Sequence, residues 1–108
     1  MALFIDDGYT LKKLIPADGS LHDGCEVIYR PALAKKRVEY GAVAGEGNPN
    51  KTAQFEDATI AEHVVTIAGQ KLTVERAGKL IPSLRGKVLN LVLGYSAPDG
   101  EAMKDAGN

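Results

Sequence analysis

The chain has 108 residues, 44% of them hydrophobic, with 13 basic against 14 acidic side chains and a net charge of −1. That length suits one domain with a core of its own, and the composition lies well outside the disordered range. The charge balance, the lack of Trp and the single Cys25 argue against a dedicated nucleic-acid binder and against a disulfide scaffold. No run of about 20 apolar residues is present, so no membrane span is expected. The opening MALFIDDGYT carries acids where a signal peptide needs a basic region, so a cytoplasmic protein is expected.

In chain order, residues 9–15 (YTLKKLI) read as a strand between the turn clusters Asp6-Asp7-Gly8 and Pro16-Ala17-Asp18-Gly19. Residues 25–30 (CEVIYR) alternate as a second strand, with Cys25, Val27 and Tyr29 on one face. The Asp- and Gly-rich stretch between them is longer than a tight hairpin turn, which predicts a projecting loop. Pro31 stops the strand because it cannot donate to a ladder. Residues 32–40 are strong helix formers, with Leu33, Val38 and Tyr40 available to the core.

Residues 41–50 (GAVAGEGNPN) have the composition of a mobile connector within a single domain. Residues 52–63 read as a helix, with Phe55, Ala58, Ile60 and Ala61 available for one face. The next stretch, VVTIAGQKLTV, fits either a continued helix or a small hairpin; helix to about Val65 and a short extended pair around Gly69 is favoured. Thr73 is placed to cap a short helix over 74–80.

Pro82–Leu93 is the strongest element. Leu80, Ile81, Leu84, Val88, Leu91 and Val92 share an arc of about 120° at helical spacing, the stripe of a core-facing helix. Pro82 fits the first turn, and Gly94 can supply the left-handed residue that ends it. Leu89 and Leu93 form a second apolar ridge outside that arc. The tail, about residues 96–108, is expected to fray. The fold class predicted is α+β: an N-terminal hairpin packed with three to four helices, with Pro82–Leu93 central to the core.

No catalytic or metal-binding motif stands out, and the chain reads as no enzyme, with no cofactor. His22 and His63 have no second ligand at metal-site spacing, and His22 reads as a solvated loop residue. Cys25 reads as a buried structural cysteine in its strand. The acid pairs Asp6-Asp7 and Glu56-Asp57 read as a turn and a helix N-terminus, since adjacent side chains point apart. Two basic clusters remain: Arg30, Lys35, Lys36 and Arg37, and then Lys71, Arg76, Lys79, Arg85 and Lys87. With Glu75 as the only acid among them, the second segment carries +4. It reads either as the solvated faces of packed helices or as a surface for an acidic partner.

Two stretches carry a resemblance. The first is the strand pair ending in Tyr29-Arg30-Pro31-Ala32-Leu33 and leading into a basic helix. The second is Ala61-Glu62-His63-Val64-Val65-Thr66-Ile67, a turn at Gly69, Leu72-Thr73-Val74, then LIPSL (80–84) and VLNLVLG (88–94). This order resembles the small tail assembly chaperones and related tail-gene proteins of long-tailed bacteriophages and prophages. Ile67 stands near the place where that family typically carries a tryptophan. The resemblance implies a non-enzymatic protein of the host cytoplasm that coats the tape-measure protein during tail assembly; self-association is expected with it, since many weak copies along one partner add through effective concentration. A structural or completion protein of the phage particle, associated with the virion, is the alternative. A small nucleic-acid-binding regulator using the +4 segment is a further one. On the chaperone reading Leu89, Leu93, Arg85, Lys79 and Arg76 are the candidate partner-binding residues, because shielding a helical partner requires exposed apolar groups.

Overall fold

The computed structural model describes residues 9–101. Strands β1 (Leu11–Ile15) and β2 (Cys25–Tyr29) form the expected hairpin, with Lys13 opposite Val27. Helices α1 (Ala34–Gly45) and α2 (Pro49–His63) follow, then strand β3 (Val64–Ile67). A short helix α3 (Val74–Ala77), the helix α4 (Pro82–Leu93) and strand β4 (Gly100–Glu101) complete the chain. The fold is α+β, and its antiparallel sheet has the order β3-β2-β1-β4.

One face of the sheet makes the core. Ile15, Val27, Tyr29 and Ile67 join Ile60 of α2, Ala77 of α3 and the apolar side of α4 in a single buried cluster. The opposite face carries exposed Lys12, Leu14 and Glu26 beside half-buried Ile28. Alternation along β1 and β2 therefore sorts the two faces as the period of two requires.

α4 begins and ends where its residues dictate. Pro82 occupies the first turn, and Gly94 closes the helix at φ 86°. Gly94 N–H donates to Leu91 O and Tyr95 N–H to Asn90 O, which satisfies the last carbonyls. The carbonyl of Leu93 is taken by Arg37 of α1 at 3.0 Å. A Cβ at residue 94 would lie 2.9 Å from that guanidinium, which a flexible side chain can relieve by shifting, so the positive φ is what calls for glycine. Thr73 caps α3 as expected, its hydroxyl accepting from Arg76 N–H at 3.1 Å, but α3 stops at Ala77 and does not reach Leu80.

Several expectations are corrected. Residues 41–50 are not a connector: α1 runs through Gly45 and α2 starts at Pro49, leaving only residues 46–48 between them. The glycines misled because composition weighs local cost, while α1 is held by packing on α2, whose own start is fixed by Asn48, its side chain accepting from Lys51 N–H. Gly41 and Gly45 have no positive φ, and nothing lies within 4 Å of a Cβ added at either. Gly41→Ala and Gly45→Ala are each expected to stabilise the domain by about 0.5–1 kcal/mol, since alanine costs less chain entropy in a helix. Thermal melts of the two variants check this; a lower melting temperature would place a loop there.

α2 gives way directly to β3. Val64 and Val65, expected at a helix end, lie in the strand, and Ile67 bridges Gln70 across the turn at Ala68-Gly69. Within α2, Ala58 is exposed and Thr59 is buried in its place, its hydroxyl donating to Phe55 O at 2.8 Å. The tail is tied down as far as Glu101. Asp99 N–H donates to Lys12 O, and Leu14 N–H donates to Asp99 Oδ2 at 2.7 Å, an arrangement that holds this carboxyl below its usual pKa. The free edge of β1 supplies these groups, which composition does not reveal. Residues 102–108 of the expected frayed tail, and the Asp6-Asp7 turn, lie outside the described residues.

Candidate interaction surface

The five candidate partner-binding residues do not form one surface. Leu89 is 8% exposed and Leu93 1%, so the ridge belongs to the core. The buried residues Leu84, Val88, Leu89, Leu91, Val92 and Leu93 sweep an arc of about 200° around α4, because the helix is covered from more than one side. Lys79 lies within 3.8 Å of Glu75 on the same stretch, both largely exposed. Arg76 is exposed and makes no ion pair among the described residues.

Arg85 has the most elaborate surroundings. Its Nη1 donates to Glu56 Oε1 at 2.8 Å, and its Nη2 donates to Asp57 Oδ1 at 2.5 Å and to Ala53 O at 3.1 Å. Burial alone would lower the guanidinium pKa, but the bonds and charges of Asp57 and Glu56 outweigh it and raise the value. Glu56 and Asp57 therefore do not point apart. They sit in the middle of α2 and converge on one guanidinium, since a long forked side chain can span two successive helical positions. The cleft they line, about 370 Å³, runs past Gly78, Leu80, Pro82 and Leu89. A Cβ at residue 78 would lie 3.0 Å from Asp57 Oδ2, so glycine lets α3 approach.

Tyr40 of α1 completes the network by donating its hydroxyl to Glu56 Oε2 at 2.6 Å. That bond, then burial, then the charge of Glu56 push the phenol up to about 12. An unfolded tyrosine ionises near 10. The bond's stabilisation is thus complete below about pH 10 and is lost as the pH rises through about 12. Spectrophotometric titration should show a late tyrosinate step that Tyr40→Phe removes. Persistence of that step in the variant would assign it to another tyrosine.

His22 is not solvated. It is 5% exposed, its Nδ1–H donates to Asp23 O at 2.8 Å, and its Nε2 accepts from Lys87 Nζ at 2.9 Å. Lys87 also donates to Asp18 Oδ2 at 2.9 Å, and this bond, with the ammonium charge, holds the Asp18 carboxyl below its usual range. The segment 71–87, read as +4, is thus answered by Asp18, Glu56 and Asp57 from elsewhere in the chain. In the first basic cluster Arg37 caps α4, and Lys36 reaches Glu39 and Glu62 while lying 5.4 Å from the Phe55 ring.

A more apolar groove lies on another side of the domain. It holds about 350 Å³ between the β3 turn and the start of α4, lined by Cys25, Ile67, Leu80, Ile81 and Leu84, with Gln70 and Arg76 beside them. Ile81 is 45% exposed there. Burial pushes the Cys25 thiol up, which keeps it protonated and poorly nucleophilic. Among the described residues no three metal-ligating side chains come together, and no helix is long and apolar enough to cross a membrane. The chain matches no family model, no curated protein and no solved structure. The groove offers apolar area and the Arg76 guanidinium, which makes no ion pair among the described residues. Ile81 could be read from the sequence only as part of the core stripe, because periodicity does not tell which end of a stripe stays uncovered.

Proposed function

We propose that this chain is a non-enzymatic, tail assembly chaperone-like protein that binds the tape-measure protein in the host cytoplasm. The reading rests on the resemblance carried by residues 25–33 and 61–94, and the observation that carries it furthest is the open groove. An apolar floor with exposed Ile81 suits an amphipathic helical segment, whose apolar face needs shielding before assembly. Arg76 at its side suits a carboxylate on that segment. On this reading the contact surface is Ile81 and Arg76, and Leu89 and Leu93 are left to the core. Self-association along one long partner would add weak contacts through effective concentration.

The test begins with the flanking genes: on this reading a tape-measure gene lies among them, and its product should co-purify with the full chain. The double variant Ile81→Asp/Arg76→Glu is expected to lose at least about tenfold in affinity, roughly 1.4 kcal/mol, with its melt unchanged. Full binding by that variant would remove the groove from the mechanism. Absence of binding by the wild-type chain would remove the chaperone reading itself.

A further inference from the structure

The cleft between α2, α3 and α4 holds one more negative charge than its own cation answers. Glu56 and Asp57 both turn to Arg85, the only cation among the described residues that line it. Glu56 uses both oxygens, Oε1 for Arg85 and Oε2 for the Tyr40 hydroxyl. Asp57 uses one: Oδ1 takes Arg85, while Oδ2 receives no hydrogen bond among the described residues. That oxygen lies against Gly78, where a Cβ would stand only 3.0 Å away and the missing side chain leaves it uncovered. We infer that this cleft is a docking site for a lysine side chain of a partner protein. The ammonium sits on Asp57 Oδ2, and the aliphatic stem lies along Leu80, Pro82 and Leu89.

A compact ammonium suits a single free oxygen, whereas a guanidinium seeks two parallel acceptors and Oδ1 is already taken. The four-carbon stem of lysine packs on apolar surface while its head stays polar. Ala53, Leu80, Pro82 and Leu89 supply such surface around a space of about 370 Å³. A free diamine would leave its second charge against those apolar walls, because Glu56 and Asp57 are the only acids lining the cleft. A lysine carried by a protein brings a backbone that can lie over the rim, where Pro82 is exposed and Ile81 beside it is 45% exposed. The chain's neighbouring lysines are engaged elsewhere. Lys79, next to Gly78, lies 3.8 Å from Glu75, and Lys51 of α2 pairs with Glu46 at 2.7 Å. The site is independent of the groove at Arg76 and of what that groove binds, since a guanidinium there favours an acid.

The test is an NMR titration of the full chain at about pH 7 and low salt, with Nα-acetyl-lysine N-methylamide as the probe. Saturable shift changes are expected at the Gly78 and Gly86 amides, with a dissociation constant in the millimolar range. Asp57→Asn should weaken binding about fivefold, the effect of one partly exposed ion pair, and added salt should weaken the wild type in the same direction. Gly78→Ala keeps every charge, and residue 78 is already helical at φ −68°, so alanine fits the backbone and sets a methyl against Oδ2. It should weaken binding comparably, and it decides the matter if Asp57→Asn does not fold. The norleucine analogue of the probe, which lacks the ammonium, should give no saturable change. Equal binding of that analogue would overturn the proposal by making the cleft an apolar contact only. Tighter binding of a four-carbon diamine than of the lysine probe would overturn it in favour of a free amine. Lysine binding undiminished in the folded variants, or no saturable change up to roughly 50 mM probe, would overturn it as well.

Discussion

Replacing Leu89 and Leu93 together by serine is expected to abolish cooperative folding. Leu93 is 1% exposed and Leu89 8%, and both belong to the central cluster. Truncating a buried leucine costs about 2–5 kcal/mol through lost transfer energy and the cavity left behind. The better-buried Leu93 belongs near the top of that range, and Leu89, on the wall of the cleft, near the bottom. Burying two hydroxyls without partners adds about 1–3 kcal/mol each. Together these are comparable to the roughly 5–15 kcal/mol that a whole domain holds. Far-ultraviolet circular dichroism on heating should show a broad, non-cooperative loss of signal already under way at room temperature. A sharp melt within a few degrees of wild type would return the two leucines to the surface.

Arg85→Met should lower the melting temperature by roughly 10–20 °C, which for this size corresponds to about 2–3 kcal/mol. Methionine fills much of the same space, so the loss is mainly electrostatic. Glu56 and Asp57 would keep their charges 15% and 21% exposed with no cation between them. Removing one partner of a fully buried pair costs about 3–5 kcal/mol, and the residual water here places the effect below that. Tyr40 would still donate to Glu56, which limits the damage on that side. Adding Glu56→Gln and Asp57→Asn to the single variant should recover most of the loss, since the repulsion goes with the charges. A melt unchanged within a few degrees would make the network a solvated surface pairing.

Legibility tracked how local the cause was. The bounds of α4 followed from Pro82 and Gly94, and the cap on α3 from Thr73, because each acts within one turn of its own position. The two hairpin strands followed from alternation bounded by Asp, Gly and Pro. Residues 41–45 were misread because glycine lowers helix propensity by about 1 kcal/mol at most, less than packing on a neighbouring helix can supply. The polar sites were the least legible. Glu56 and Asp57 lie 29 and 28 residues from Arg85, and His22 lies 65 from Lys87, so no spacing rule connects them.

By itself the sequence determined an α+β domain built on a hairpin and an apolar C-terminal helix, since hydrophobic period and chain-stopping residues are encoded position by position. Only the tertiary structure decided which apolar faces are covered. Leu89 and Leu93 lie outside the main stripe, yet α4 is enclosed through about 200°. Ile81 lies inside that stripe, yet 45% of it stays open. Burial is a property of what packs alongside, and a helical period specifies direction without specifying neighbours. Charges follow the same rule: a +4 segment in one dimension became a set of paired or isolated cations once α2 and the β1–β2 loop brought their carboxylates to α4.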